Sequence, residues 1–470
     1  MRRKLISHRK YLVIGAAVAL VLGGCVANKP YRLQGIADQF YPNQSPPSER
    51  NAASTDRSYQ LSFVEFDERG DFWDRRQLGR AGEAIAKHKN KPVLVIIFIH
   101  GWHNNADDRN PSGDLQTFRC LLSQLAVSDT TRDVQVHGIY LGWRGRLLSG
   151  HLDYLTFWGR KAAATRVAGT AVTETIFELI RQARKYHPGR AKCVLVGHSF
   201  GALVLEKAMA QAMTGSILSQ DTQTRGGEFN APADLVLLVN SAGESIYAKE
   251  MRDMFERIEH RGDVNAQHPL MISMTSVSDT ATSQWFRVGT FLPNLFAHRQ
   301  YHWDARYDHA SNEVDQNEYL TTTPGHNARL FSHQVVPTAP PADAPAPEQI
   351  AQRAKQARAC SEPNPAFEEN LSHPHGVVFA TAERADPHTF KWWKLETASP
   401  DPTTPYWIMH VPDEIIHGHG PIFTPNGRAM MAALFRITNP PRQEGPRQMR
   451  LQAAAPSHSE DTRAGAALTP

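Results

Sequence analysis

The chain has 470 residues, of which 41% are hydrophobic, and its formal net charge is +4. A chain of this length and apolar content holds one large domain or two ordinary ones, with a full hydrophobic core. The small net charge argues against nucleic acid as a partner.

The amino terminus has the pattern of a secretory signal. A basic segment at positions 2–10 precedes the apolar stretch Tyr11 to Leu22, which is too short to span a bilayer comfortably as a helix. Leu22-Gly23-Gly24-Cys25 then resembles a bacterial lipobox, in which the cysteine receives lipid and becomes the mature amino terminus. The sequence therefore predicts a lipoprotein signal peptide at residues 1–24 and lipidation of Cys25, with palmitate among the acyl groups. An uncleaved signal anchor with an incidental cysteine is the alternative.

The residue after this cysteine bears on the location of the chain. It is Val26, and not the aspartate associated with retention in the inner membrane of Gram-negative bacteria. We therefore expect a lipid anchor in the outer membrane, with the protein facing the periplasm of the bacterial cell envelope. Residues 25–56, rich in Asn, Pro, Ser and Gln, are expected to form a flexible stalk between the lipid and the folded domain.

Apolar runs alternate with helical periodicity through the middle of the chain. Pro92 to Ile99, a largely β-branched run, is typical of a strand buried on both faces of a parallel sheet. Further strands are predicted at 59–66, 134–141, 193–196, 235–239, 269–275 and 406–411, and helices at 77–88 and 165–186. This alternation predicts an α/β fold with a mainly parallel central sheet flanked by helices, over residues 57–438.

The strand pattern lapses before the last predicted strand. Residues 283–404 are therefore predicted to be a long insertion, which includes an Ala/Pro-rich linker at 337–347 and a short polar helix at 348–359. Residues 439–470 lack a core-forming pattern and are expected to be disordered.

The chain has four cysteines, one of which is reserved for lipid at Cys25. Cys193 lies in an apolar strand and is expected to be a buried thiol. Cys120 and Cys360 remain, and they can pair in an oxidising periplasm. The sequence alone does not decide whether they do.

Gly197-His198-Ser199-Phe200-Gly201 is the most informative motif of the chain. It directly follows the apolar run Cys193 to Val196 and directly precedes a helical stretch that begins at Ala202. A serine that attacks a carbonyl group needs its hydroxyl raised at a sharp strand-to-helix turn, and flanking glycines let such a turn close. Ser199 is therefore the candidate nucleophile. A serine that only caps the helix is the alternative.

A second motif, His100-Gly101-Trp102-His103-Asn104-Asn105, stands at the end of the strand that includes Ile99. The negative oxygen of a tetrahedral acyl intermediate needs preorganised N–H donors, and a glycine lets the backbone approach closely enough to supply one. The candidate oxyanion hole consists of the backbone N–H groups of Trp102 and Phe200. His100 is expected to orient the loop, and a simple strand-end turn is the alternative.

With H-G-W after one strand and G-H-S-F-G after a later one, the chain resembles the α/β-hydrolase family of serine esterases and lipases. It resembles in particular uncharacterised bacterial hydrolases with an H-G-[W/Y/F]-x-N start. The resemblance covers roughly residues 59–437, apart from the Pro-rich excursion. It implies an α/β-hydrolase fold and a serine hydrolase with nucleophile, acid and histidine in that order along the chain.

This order points to a particular acid and a particular histidine. Asp279 follows the predicted strand at 269–275 and is the implied acid, with Glu244 in reserve; an Asx turn or helix cap is the other interpretation of Asp279. His419 follows the predicted strand at 406–411 and is the implied base. His417 and His326 are the alternative bases.

The substrate is expected to be a small-molecule or lipid ester. His100, His103 and Trp143 are candidates for a substrate pocket, although core packing explains Trp143 equally well. No phosphate-binding glycine loop, dinucleotide fingerprint or metal-ligand spacing occurs in the sequence, so we expect neither a cofactor nor a metal.

The implied activity is hydrolysis of a carboxylic ester through an acyl-enzyme on a Ser-His-Asp triad, by a protein held at a membrane through its amino-terminal lipid. Two alternatives remain. One is an acyltransferase, thioesterase or peptidase that uses the same triad. The other is a non-catalytic binding or scaffolding module of the cell envelope.

Overall fold

The computed structural model of the chain describes most of residues 59–437 and two short segments before them. The described residues are 26–32, 38–40, 59–87, 91–107, 113–127, 134–148, 153, 156–221, 231–259, 269–286, 301–303, 313–342, 344, 346, 348, 378–382, 389–398 and 404–437. All of them lie in the compact unit that ends at Thr438.

Eleven of the described strands form one β-sheet. In chain order the strands are β1 (Asp38–Phe40), β2 (Tyr59–Glu65), β3 (Val93–Ile99), β4 (Gln135–Gly142), β5 (Ala191–His198), β6 (Leu235–Val239), β7 (Met271–Ser276), β8 (Tyr301–Trp303), β9 (Glu313–Asp315), β10 (His333–Thr338), β11 (Val378–Ala382), β12 (Phe390–Thr397) and β13 (Tyr406–Val411). Their order across the sheet is β1-β2-β4-β3-β5-β6-β7-β13-β10-β12-β11, while β8 and β9 form a separate antiparallel pair.

The eight neighbouring strands from β2 to β10 run parallel. Every residue of β3 is buried, as its run of Val, Leu, Ile and Phe predicts for a strand covered on both faces. β1, β12 and β11 complete the two ends of the sheet as antiparallel partners. Because parallel strands end at the same side of a sheet, the loops that follow them meet at one side, which we call the carboxyl edge.

Helices cover both faces of this sheet. They are α1 (Arg76–Ala86), α2 (Asp114–Val127), α3 (Phe157–Val167), α4 (Thr170–Tyr186), α5 (Phe200–Asp221), α6 (Ser245–Glu259), α7 (Gln316–Thr321) and α8 (Pro425–Ile437). Residues of α1, α3, α4, α5 and α6 belong to one buried cluster with Val95 of β3, and residues of α2 and α8 belong to a second with Ile96. Since side chains alternate along a strand, the two clusters lie on opposite faces. The predicted α/β class is therefore confirmed.

The helix predicted at 165–186 is two helices. α3 ends at Val167, and α4 begins at Thr170 after Gly169, which takes an extended backbone conformation with φ −77° and ψ −162°. The chain turns at this glycine. As a result, α3 runs separately from α4, and its first residue, Phe157, packs against the ring of Phe200 at the start of α5.

The region without a strand pattern, 283–404, supplies three strands of the main sheet. β10 pairs in parallel with β13, and β12 and β11 follow as antiparallel partners. β13 therefore lies inside the sheet and not at its end. The predicted linker at 337–347 overlaps the end of β10, and Glu348 is the only described residue of the helix predicted at 348–359.

Part of the predicted stalk is bound to the domain. The backbone N–H groups of Tyr31 and Arg32 donate to the buried carboxylate of Glu65, at 2.8 and 2.7 Å. The Val26 N–H donates to the Leu147 carbonyl at 2.9 Å. Because Glu65 ends β2 and Leu147 lies in the loop after β4, this segment runs along the carboxyl edge.

The predicted signal peptide at 1–24, the lipidation site Cys25 and the tail at 439–470 lie outside the described residues. Among the helices that the structure describes, none combines the length and the apolar character needed to cross a membrane.

Two cysteines are described. Cys193 is a free thiol, and burial raises its pKa to about 12. Cys120 is disulfide-bonded. Cys360 lies outside the described residues, so the pairing of Cys120 with Cys360 stays a prediction.

Candidate active site

Ser199 lies at the sharp turn between β5 and α5. Its φ is 56°, in the left-handed region that residues with a side chain rarely adopt. Its backbone N–H donates to the Val239 carbonyl at 3.0 Å, so the turn continues the contact between β5 and β6. Ser199 is thereby fixed at the carboxyl edge.

The two glycines that flank Ser199 are required by the space around them. A Cβ at Gly197 would lie 2.6 Å from the Cα of Ala202, and a Cβ at Gly201 would lie 2.1 Å from the carbonyl oxygen of Ile99. Real Cβ atoms essentially never come this close to other atoms. The G-x-S-x-G spacing therefore follows from the packing of α5 against β3 and β5.

Ser199, His419 and Asp279 are joined by hydrogen bonds. Nε2 of His419 lies 2.7 Å from Ser199 Oγ, and Nδ1 of His419 lies 2.8 Å from Asp279 Oδ2. Because an ionised carboxylate only accepts hydrogen bonds, a neutral His419 carries its proton on Nδ1. Nε2 then has a lone pair that can accept the proton of the serine hydroxyl. The structure thus brings together the nucleophile, acid and base that the sequence predicted.

Asp279 is buried and surrounded by hydrogen-bond donors. Its Oδ1 accepts from the N–H groups of Ala281 and Thr282, at 3.0 and 3.1 Å, and its Oδ2 accepts from the Thr282 hydroxyl at 2.6 Å. Burial alone raises the pKa of Asp279, but the charge of His419 and these hydrogen bonds lower it more, so the pKa lies below 3.8. The carboxylate is ionised at neutral pH. It also starts the helical turn at Ala281–Trp285, so the turn-forming role considered for Asp279 is observed beside its contact with His419.

The loop that carries His419 is tied to its surroundings by three side chains. Asn240, directly after β6, donates from Nδ2 to the Gly418 carbonyl at 3.0 Å. Ser278 Oγ accepts from the Gly418 N–H at 2.8 Å, and His198 Nε2 lies 3.2 Å from the His419 carbonyl. Sequence reasoning missed Asn240, although a polar residue directly after an apolar strand marks the carboxyl edge.

The loop after β3 passes directly beside Ser199. A Cβ at Gly101 would lie 2.8 Å from the Ser199 Cβ, so only glycine allows this approach. Phe200 is the first residue of α5, and an N–H group in the first turn has no acceptor within its own helix. The backbone segments of Trp102 and Phe200, predicted to form the oxyanion hole, therefore both border Ser199.

His100 and Trp143 hold this loop from inside the core. His100 Nδ1 donates to the Gly101 carbonyl at 2.9 Å, and its Nε2 accepts from the Trp143 backbone N–H at 3.1 Å. The indole N–H of Trp143 donates to the His100 carbonyl at 3.0 Å. Burial lowers the pKa of His100 to about 4, so its ring is neutral. The pocket role considered for these two side chains is therefore corrected: both are buried, and they orient the loop.

His103 is the pocket candidate that reaches solvent. Its side chain is 41% exposed, and its Nδ1 lies 2.6 Å from Asp153 Oδ2. It borders a cavity of about 370 Å³, whose other lining residues are Asn104, Asn105, Asp107, Gly113, Leu115 and Arg146. A polar cavity thus adjoins the loop that passes Ser199.

His417 and His326, the alternative bases, face other groups. His417 Nδ1 lies 2.7 Å from Asp413 Oδ2, and its side chain is 69% exposed. His326 Nδ1 lies 3.0 Å from the Thr323 hydroxyl. No group of three or more His, Cys, Asp or Glu side chains suited to a metal ion occurs in the described part of the chain.

Glu244, the alternative acid, pairs with a cation and not with His419. Its Oε1 lies 2.7 Å from Lys161 Nζ, which in turn lies 4.2 Å from the centre of the Phe286 ring. Burial lowers the pKa of Lys161, although the charge of Glu244 raises it in part. Lys161 of α3 thus contacts both Glu244, in the loop after β6, and Phe286, which follows β7.

A second His–Asp pair lies behind the triad, and sequence reasoning missed it. His198 Nδ1 lies 2.9 Å from Asp114 Oδ2, and both side chains are buried. The same carboxylate oxygen accepts from the Gly101 N–H at 3.2 Å. Nε2 of His198 faces the His419 carbonyl, so both ring nitrogens lie against acceptors. This arrangement favours the ring with both protons.

His198 and Asp114 each stabilise the charged form of the other. Burial lowers the pKa of His198, but the Asp114 carboxylate, the His419 carbonyl and the charge of Asp279 together raise it more, so that it lies above 6.5. Burial raises the pKa of Asp114, but His198, His100 and the Gly101 N–H together lower it more, so that it lies below 3.8. His198 stands in the predicted motif, but no sequence signal connects it with a residue 84 positions away.

No protein-family model matches the chain, and no curated protein matches it. Among solved structures it is similar to the phospholipase PlaB from Legionella pneumophila, alone and in complex with thio-NAD. In both comparisons the identity is 13% and the TM-score is 0.20, and the match covers 52% of this chain and 46% of the other. The chain thus spans less than half the length of that protein. A likeness at this level does not bear on what the chain does.

Proposed function

We propose that the chain is a serine hydrolase of the cell envelope, which cleaves carboxylic esters through an acyl-enzyme on Ser199. The observation that carries the proposal is the line of hydrogen bonds from Ser199 through His419 to Asp279. Positive φ angles at Ser199, His103 and Asn240 support it. Such conformations cost about 1–3 kcal/mol each and gather at functional sites.

The first half-reaction transfers the acyl group to the enzyme. His419 Nε2 takes the hydroxyl proton while Ser199 Oγ attacks the ester carbonyl carbon, and Asp279 stabilises the imidazolium that forms. The oxyanion accepts hydrogen bonds from the N–H groups of Trp102 and Phe200. His419 then gives its proton to the departing alkoxide oxygen, so an alcohol leaves and an acyl ester of the serine remains.

The second half-reaction returns the free enzyme. His419 takes a proton from water, whose oxygen bonds to the acyl carbon, and the bond from Ser199 Oγ to that carbon breaks. The serine oxygen recovers the proton, and a carboxylic acid leaves. An acyltransferase differs only in that an acceptor alcohol replaces water, and a thioesterase or peptidase differs in the atom that leaves. Analysis of the products separates these reactions.

Two features support a location in the envelope. The lipobox at Cys25 supports a lipid anchor, and Val26 after it supports the outer membrane, facing the periplasm. The disulfide at Cys120 supports an oxidising compartment, because disulfides persist in the periplasm and are rare in the cytosol.

The nucleophile and the base are tested by covalent labelling. The full chain, solubilised in detergent, should react with a fluorophosphonate probe, and Ser199→Ala should abolish labelling. His419→Ala should slow labelling by about 100-fold or more, because the general base is lost. Labelling is followed by in-gel fluorescence, and release of a short-chain nitrophenol is measured on the same samples.

A matched control comes from the same loop as the base. His417→Gln should label at the wild-type rate, because His417 points to Asp413 and solvent. Labelling of the Ser199→Ala chain would remove Ser199 as the nucleophile. A folded wild-type chain that does not label and turns over no ester would favour the non-catalytic module.

A further inference from the structure

Val26, which follows the predicted lipidation site Cys25, is hydrogen-bonded at the carboxyl edge. The Val26 N–H donates to the Leu147 carbonyl at 2.9 Å, and the Val26 carbonyl accepts a hydrogen bond from the Arg144 guanidinium. Both partners lie in the loop after β4. Cys25 is joined to Val26 by one peptide bond, which spans about 3.8 Å between Cα atoms. A lipid on Cys25 is therefore only one residue along the chain from a position that is bound to this loop.

The loop after β4 lies directly on the loop that passes the nucleophile. The Gly145 N–H donates to the Asn104 carbonyl at 3.0 Å, and the His103 N–H donates to the Gly145 carbonyl at 3.3 Å. His103 directly follows Trp102, whose N–H is proposed for the oxyanion hole. Val26, the residue after the predicted lipidation site, is thus linked through these two loops to Ser199. We call the space in front of the Ser199 hydroxyl the cleft of the proposed enzyme.

We call residues 26–32 the tether. Arg32, at its other end, is also bound to the domain. The Arg32 guanidinium lies 4.6 Å from the centre of the Phe63 ring, and its Nε donates to the Ala106 carbonyl at 3.2 Å. Gln77 Nε2 donates to the Arg32 carbonyl at 2.6 Å. With the contacts of Glu65 already described, residues 26–32 act as part of the carboxyl edge and not as a spacer.

The same edge exposes apolar side chains. Of the three large hydrophobic side chains that are exposed in the described part of the chain, two lie here. Val277, 62% exposed, follows β7 just before Asp279, and Trp158, 42% exposed, lies at the start of α3. The third, Leu218, is 45% exposed and lies near the other end of α5, about 27 Å along the helix from Phe200.

We propose that the Cys25 lipids draw the carboxyl edge onto the bilayer, so that the cleft takes its ester from the leaflet in which the chain is anchored. This inference rests on the proposed serine hydrolase and on lipidation of Cys25. Apolar side chains at a membrane surface enter the boundary between headgroups and acyl chains, roughly 5–10 Å deep, and the acyl esters of membrane lipids lie at this depth. The acyl–oxygen bond of a lipid breaks, its acyl group passes to Ser199 and then to water, and a fatty acid and a lysolipid result.

The length of the tether provides the main test. The full lipidated chain is reconstituted in vesicles of phosphatidylethanolamine and phosphatidylglycerol, with and without a flexible Gly/Ser linker of about 20 residues between Cys25 and Val26. Such a linker separates its ends by roughly 25 Å on average. Release of fatty acid from vesicle lipid should fall about tenfold, because the effective concentration of the cleft at the bilayer falls. Turnover of a short water-soluble ester should not change.

The exposed apolar side chains provide a second test, with a matched control. Val277→Ser should lower hydrolysis of vesicle lipid roughly fivefold. The valine side chain, exposed in the free protein, would no longer enter the bilayer and stabilise the docked state. Leu218→Ser removes another exposed apolar side chain, near the far end of α5, and it should leave lipid hydrolysis unchanged. Both variants are compared as the ratio of lipid turnover to soluble-ester turnover.

The possible failures are distinguishable. A linker chain with the wild-type ratio of lipid to soluble-ester turnover overturns the membrane-facing cleft, and so does a wild-type chain that cleaves the soluble ester but no vesicle lipid. A mature chain without lipid on Cys25, detected by mass spectrometry, overturns the anchor. A wild-type chain that cleaves neither substrate overturns the proposed function itself.

Discussion

The buried pair of His198 and Asp114 connects the loop after β3, the turn at Ser199 and the loop that carries His419. Through Asp114 the pair holds the Gly101 N–H, and through Nε2 of His198 it holds the carbonyl of His419. The loop at Gly101 and the loop at His419 are thus held by the same buried pair. A misplacement of about 1 Å in such groups can cost about 100-fold in rate, so this pair is expected to act by positioning, without touching the substrate.

Removal of the charge of His198 or of Asp114 should change both the catalytic rate and its pH dependence. His198 keeps both protons below its raised pKa and loses its hold on Asp114 or His419 as the pH rises through that pKa. Asp114→Asn should lower the pKa of His198, because the strongest raising interaction is lost while burial remains, and only the His419 carbonyl and Asp279 still raise it. We expect kcat to fall about tenfold or more. The alkaline loss of probe labelling should move to lower pH in Asp114→Asn and vanish in His198→Gln.

These profiles separate positioning from a general loss of stability. Urea unfolding of each variant at the assay pH shows whether the folded fraction has changed, and KM should stay near the wild-type value. If Asp114→Asn and His198→Gln both keep the wild-type pH dependence of labelling, the pair does not set the position of the base.

Glu206 of α5 is a buried carboxyl group, and it interacts with the buried hydroxyl of Tyr406. Burial raises its pKa to about 8, and the negative charge of Glu244 adds to the shift. The folded chain therefore keeps the Glu206 proton at pH values where the unfolded chain, with a pKa near 4.5, has lost it. Stability from this group is complete below about pH 4.5 and is lost as the pH rises to about 8.

Glu206→Gln should remove this dependence, because the amide has nearly the same shape and does not titrate. We expect the free energy of unfolding, measured with urea at about pH 5 and about pH 9, to change less with pH in this variant than in the wild type. Glu250→Gln, at an exposed position of α6, should behave like the wild type. An equal pH dependence in all three chains would mean that Glu206 is ionised in the folded state.

At the scale of the element, α5 contains two glycines with opposite roles. A Cβ at Gly201 would lie 2.1 Å from the Ile99 carbonyl oxygen, whereas a Cβ at Gly215 would meet nothing within 4 Å. Gly201→Ala should therefore push α5 away from β3, lower the free energy of unfolding by roughly 1–3 kcal/mol, and slow probe labelling of Ser199. Thermal unfolding and labelling rates measure the two effects.

Gly215→Ala is the matched substitution in the same helix. It should stabilise the chain by roughly 0.5–1 kcal/mol, because alanine restricts the unfolded chain and fits the helix without a clash. Its labelling rate should equal that of the wild type. A Gly201→Ala chain as stable and as reactive as Gly215→Ala would show that the turn at Ser199 tolerates a larger distance between α5 and β3.

The elements that were predicted correctly are those whose residues alone define their environment. The continuous apolar runs of β3 and β6 require burial on both faces, and no other placement satisfies them. β10 and β12 were missed because polar residues and Pro337 interrupt them, and pairing with neighbouring strands, not composition, makes them strands. The contact between His198 and Asp114 was missed for the same reason, since the fold alone brings them together.

At the scale of the whole molecule, the cysteines provide a test of the oxidising compartment that we propose. We expect a disulfide-linked peptide that joins Cys120 to Cys360 in a non-reducing digest of the envelope fraction, and Cys360→Ser should lower stability by about 2–4 kcal/mol. Cys193 should resist alkylation until the chain unfolds, because it is buried. A linked peptide with any other partner, or a reduced Cys120 in the envelope fraction, would contradict this pairing.

The hydrogen bond from the Ser199 N–H to the Val239 carbonyl predicts how the candidate site responds to heating. This bond extends the central ladder by one residue, so exchange of the Ser199 amide hydrogen with solvent requires the middle of the sheet to open. His419, by contrast, lies on a loop held by side chains such as Asn240 and His198. Mild heating should therefore displace the base while the nucleophile stays in place, and cooling should restore activity without refolding.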